Sequence, residues 1–182
     1  MAAARRPGRL AATGGLLTAL SILVMVAERL LPVGTLFSHL LLSILMLAAI
    51  LLLDIKGAAA VWIATSVLAQ LLLGPPISLV FTLVSGCYPL IKNALERRVE
   101  RRMLCLVLKI PVAALLGTLL YLVARLVGLA DPLIALAQRW PQLPWLWLAG
   151  PALLAAFIVY DLILDRARFV LGALLRQLGL LV

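Results

Sequence analysis

The chain has 182 residues, 65% hydrophobic and only 13% charged, with sixteen Lys and Arg against seven Asp and Glu. Soluble domains run nearer to about 45–50% apolar and about 25% charged, so a surface solvated by water alone is excluded. A pI near 10.8 does not point to nucleic acid here, because the cations collect at the ends of apolar runs, as they do in membrane proteins. Residues 1–182 therefore read as one integral membrane domain whose main partner is the lipid bilayer.

Residues 1–9 form a polar arm carrying Arg5, Arg6 and Arg9. The first span is expected over 10–31, close to the roughly 20 residues a bilayer core requires. It is too long for a cleavable signal, so it is expected to stay as a helix. Its start places Ala11, Gly15 and Ala19 four apart on one face. Small residues at that spacing let a second helix approach closely, either within the bundle or from a partner. The span ends in Glu28, Arg29 and Pro32. A second span is expected over 36–53, with His39 near its start and Asp54, Lys56 and Gly57 after it. The third, 58–73, stops at Gly74-Pro75-Pro76. The fourth, 77–91, contains Ser85, Gly86 and Pro89, and Tyr88-Pro89 is expected to end it. Such interruptions either line a cavity or kink a packed helix.

Residues 92–102 form a basic loop with Lys92, Arg97, Arg98, Arg101 and Arg102, in which Glu96 and Glu100 permit i,i+4 pairs and a helical continuation. A fifth span, 103–129, carries Lys109, Pro111 and Arg125. The Pro-rich stretch 130–144 fits an interfacial or re-entrant segment. Trp145 and Trp147 open the sixth span, 145–164, as an aromatic belt, and 165–182 is a basic amphipathic tail. With the N-terminus inside, twelve cations fall on the cytoplasmic side and two outside. Cytoplasmic loops carry the excess of Lys and Arg, so both termini are expected in the cytoplasm. The predicted fold is all-α, a bundle of six transmembrane helices in the cell inner or plasma membrane.

No HExxH, CxxC, GxSxG or Walker sequence occurs, and His39 is the lone histidine. An enzyme, a metal and a cofactor are accordingly not expected. Cys87 and Cys105 read as packing residues. The informative charges lie in or beside spans. Arg29, His39 and Arg125 are candidates to meet an anionic group of a ligand in the outer half, with Gln70 adding a hydrogen bond. Trp145 and Trp147 are candidates to wall an apolar portion of it. The plainer alternatives are a snorkelling Arg125 and tryptophans that serve only as belt. Lys109 is expected to reach the inner headgroups, and Asp161 to pair with Lys109 or Arg166.

The length, six apolar spans, cytoplasmic termini and the Ala11, Gly15, Ala19 face resemble the substrate-binding (S) components of energy-coupling factor (ECF) vitamin transporters. The middle of the chain, GPPISLVFTLVSGCYPLIKNALERR, is also similar to small membrane proteins of Gram-positive bacteria whose function is unassigned. The first resemblance implies capture of a small molecule at the outer half. It further implies docking of Ala11, Gly15 and Ala19 on a transmembrane coupling subunit that rides on two cytoplasmic ATPases. A competing expectation is a non-catalytic scaffold of a cell-envelope complex, with the same packing face and no ligand.

Overall fold

The computed structural model describes residues 7–31, 35–98, 108–112, 114–119, 122 and 145–179. Among these every regular element is helical and there is no strand. In chain order they are α1 (Pro7–Leu30), α2 (Thr35–Leu73), α3 (Pro75–Val80), a π-helical segment (Phe81–Gly86) and α4 (Cys87–Arg98). Then come the short apolar helix α5 (Leu108–Leu119, described apart from residue 113) and α6 (Trp145–Gln177). Three runs, Gly8–Leu30, Leu36–Leu73 and Ile77–Arg98, are long and apolar enough to cross a membrane. The stretch expected to be interfacial or re-entrant, 130–144, lies outside the described residues, as do Arg125 and most of the expected fifth span.

The 39-residue α2 is two arms. Asp54 has φ 65° and ψ 174°, a conformation no helix contains. The contacts at its two ends show how far the chain turns there. Glu28 lies 3.4 Å from His39, at the start of the first arm. Arg29 bonds the carbonyl of Leu73, the last residue of the second arm. A straight helix would hold positions 39 and 73 about 51 Å apart, which two adjacent side chains cannot bridge. The arms therefore fold back on each other. At the opposite end of α1, Gly14 faces Leu53 and Val61 on either side of the bend. Each arm, 35–53 and 55–73, spans about 28 Å, close to the thickness of a bilayer core.

The core is shared by all the long elements. Met25 of α1, Leu42 and Met46 of α2, Phe81 of the π segment, Tyr88 of α4 and Leu164 of α6 are fully buried. Large apolar side chains such as Leu23, Leu71 and Phe169 are exposed. That is the surface a hydrocarbon solvent permits and water does not. Trp62 fills the gap at Gly86, where a Cβ would lie 2.5 Å from its ring, and its Nε1 donates to the Thr82 carbonyl at 3.1 Å.

Tyr88-Pro89 does not end the fourth helix, contrary to expectation. The π segment closes at Gly86 and α4 begins at Cys87, which places Pro89 in the first turn. The backbone stays helical across this junction, so the helix runs on through Pro89 to Arg98 and takes Lys92 with it. α6 likewise continues as one helix of 33 residues through the tail to Gln177.

Candidate functional site

Continuing α4 past Pro89 turns Tyr88, Lys92 and Glu96 into one helical face, spaced four apart. That face meets α5 and α6 in a buried cluster of charges. Lys92, 2% exposed, places Nζ 2.5 Å from Asp161 Oδ1 and 2.6 Å from Asp165 Oδ1. It also donates to the Asp161 carbonyl at 3.0 Å. Lys109 Nζ donates to Asp161 Oδ2 and to Glu96 Oε1, both at 2.9 Å. Arg168 Nη1 closes the cluster on Glu96 Oε2 at 2.7 Å, and the Tyr88 hydroxyl donates to Asp161 Oδ1 at 2.6 Å. Asp161 thus accepts from three side chains on two neighbouring elements. In an apolar interior an ionised group is tolerated only when paired and hydrogen-bonded, and here both conditions are met. Phe157 and Tyr160 pack on the ring of Tyr88, with centroids 5.1 and 5.7 Å away. Tyr160 in turn bonds Ser43 of α2 at 2.5 Å. Since the Ser43 hydroxyl already donates to the His39 carbonyl at 2.8 Å, Tyr160 is the donor. Asn93 is buried beside Lys92 with both amide atoms unpartnered.

A second polar group sits where α1 ends. Glu28 Oε1 faces His39 Nε2, whose Nδ1 lies 2.9 Å from Ser85 Oγ in the π segment. Arg29 Nη1 donates to the Leu73 carbonyl at 2.9 Å. Gln70 accepts from Ser78, which also donates to the Gly74 carbonyl at 2.6 Å and so ties the Gly-Pro-Pro turn.

The third feature is a groove of about 940 Å³ between α1 and the second arm of α2. Ala11, Gly15 and Ala19 lie along one wall and Gly57, Ala60 and Ala64 along the other. Nothing stands within 4 Å of a Cβ built on Gly15.

The sequence-derived residues therefore separate. Ala11, Gly15 and Ala19 share the groove. Arg29 and His39 lie at one end of the bundle but do not meet; the partner of His39 is Glu28, one residue earlier. Gln70 is held by Ser78. Arg125 lies outside the described residues, and Trp145 and Trp147 begin α6 with side chains outside them. Lys109 is buried in the cluster, with its ammonium bonded to Asp161 and Glu96. It is the partner of Asp161, whereas Arg166 is exposed. The sequence reading missed Lys92 and Glu28, one assigned to a loop and the other to an outer rim. The spacing Tyr88, Lys92, Glu96 was the available signal, but it counts only if helix passes through Pro89. No family model, curated protein or solved structure matches this chain.

Proposed function

We propose that this chain is a multi-pass membrane subunit that captures a small molecule at its outer half and docks through α1 onto a transmembrane partner. This is the role of the ECF S components it resembles, with the partner carrying two ATPases. The observation that supports the reading is the groove. From Leu10 to Val26 its α1 wall is about 24 Å long, most of a bilayer core of about 30 Å. Thr18 is the one polar residue among those that line the groove, and small residues line both walls. Its occupant is an apolar transmembrane helix of the partner, because van der Waals contact through small residues is what draws helices together in lipid.

The test is purification of the tagged chain from its own host in mild detergent, with identification of the proteins and metabolites that accompany it. A transmembrane protein with two ATPases, and a bound metabolite, are expected. Gly15→Leu should lose the partner and keep the metabolite, since Gly15 has open space around it. Retention of the partner by that variant overturns the docking, and a lipid in place of a partner reassigns the groove to an acyl chain.

A scaffold of an envelope complex is the second reading. It is favoured by the bonding of Arg29, His39 and Gln70 within the fold itself. Recovery of envelope-synthesis proteins, with no ATPase and no metabolite, decides for it.

A further inference from the structure

Glu28 is an unusual carboxylate for its place. It is 6% exposed, and its Oε2 has no hydrogen-bond partner. Oε1 has one neighbour, His39 Nε2 at 3.4 Å, and the other ring nitrogen of His39 is engaged by Ser85 Oγ. The next residue, Arg29, does not neutralise the carboxylate, because it is exposed and its guanidinium is turned onto the Leu73 carbonyl. On the other elements packed here the charged and titratable groups are few. The second arm of α2 and α3 present the neutral pair Gln70 and Ser78, and the π segment presents Ser85. α6 presents Tyr160, whose hydroxyl is engaged by Ser43, one turn along α2 from His39. Among the described residues, then, nothing but His39 answers the charge of Glu28. A lone ionised carboxylate does not persist in an apolar interior; the group is paired or it takes a proton.

We propose that Glu28 and His39 form a proton-binding site that holds one proton between them, so that α1, α2 and the π segment close over a neutral pair. Uptake moves one proton from water onto the pair, and no other bond forms or breaks. Release returns that proton to water and leaves a carboxylate beside a neutral imidazole, with one net negative charge. Oε2, which is dry and unpartnered in the closed arrangement, must then be hydrated, and the junction of the three elements opens. The site does not depend on the docking of α1, since Glu28 lies beyond the Leu10–Val26 stretch that lines the groove.

His39 is the one histidine in the chain, so 15N-histidine labelling gives a single ring whose protonation can be followed by NMR in lipid nanodiscs. The wild type and Glu28→Gln are titrated side by side. The amide keeps the shape of a neutral carboxyl, so the fold is expected to survive. The two ring titrations should separate by about one pH unit or more, the mark of groups that titrate as a pair. Coincident curves overturn the proposal. Where the variant fails to fold, infrared titration of the wild type decides. A carboxyl or carboxylate band that changes with the same midpoint as the ring upholds the pair, and a ring that titrates while every carboxyl and carboxylate band stays unchanged refutes it.

Discussion

Lys92 and Asp161 are 69 residues apart in the chain, yet the Lys92 ammonium touches both the carboxylate and the backbone carbonyl of Asp161. The same carboxylate holds Lys109 on its second oxygen. Asp161→Asn would leave two buried ammonium groups short of their shared partner, and loss of one member of a buried pair costs about 3–5 kcal/mol. Lys92→Met should cost less, since Asp161 keeps Lys109 and Tyr88. Asp165→Asn should cost about 0–1 kcal/mol, because that side chain is 48% exposed. Thermal denaturation in detergent gives the order; Asp165→Asn as damaging as Asp161→Asn would contradict the arrangement.

The hydroxyl of Tyr88 reaches a charged acceptor and that of Tyr160 a neutral one. Tyr88→Phe should therefore cost about 1.5–3 kcal/mol and Tyr160→Phe about 0.5–1.5 kcal/mol. The comparison is made on denaturation midpoints of the two variants, and a larger loss for Tyr160→Phe would invert the assignment.

Gly86 and Gly15 separate a packing glycine from an open one. A Cβ at Gly86 would meet Trp62 at 2.5 Å and the Phe81 carbonyl at 3.1 Å. Gly86→Ala should destabilise by about 1–3 kcal/mol and disturb tryptophan fluorescence through Trp62. Gly15→Ala should stay within about 0.5 kcal/mol of the wild type. Equal effects would mean the groove is filled by the chain itself.

Asp54 holds a backbone conformation that glycine adopts readily and other residues only under strain, of order 1–3 kcal/mol. Asp54 is exposed, so its side chain is dispensable for packing. Asp54→Gly is expected to raise the denaturation temperature and Asp54→Val to lower it. A rise with valine would exclude the bend.

Sidedness can be read with single cysteines after Cys87 and Cys105 are replaced. Cysteines at Lys56 and Arg98 should react with impermeant reagents from the cytoplasmic side, and one at Leu31 from the outside. Labelling of positions 56 and 31 from the same side would break the proposed topology.

Much of the helical content was legible because apolar length and Gly-Pro punctuation are local properties. The first two helical boundaries, the bend at Asp54 and the stop before Pro75 all follow from residues next to them. What was illegible depends on contacts between distant segments. Pro89 reads as a stop, yet the π segment and α4 run on as one helix through it. Lys92 then leaves the loop and enters the core, which no local rule foretells. Asp161 was legible as a partner for Lys109, since an acid inside a span needs a cation. Glu28 was misjudged because a charge near a span end ordinarily reaches water, and here α2 folds over it.

The clustered charges have one more property, which appears only in their total. Lys92, Lys109 and Arg168 are balanced by Glu96, Asp161 and Asp165. An elementary charge carried across 100 mV exchanges about 2.3 kcal/mol with the field. The six charges of this cluster, taken by themselves, exchange none. The transmembrane voltage acts on α4 and α6 through the cations outside the cluster, Arg97, Arg98, Arg166 and Arg176, and not through the charges packed between the helices.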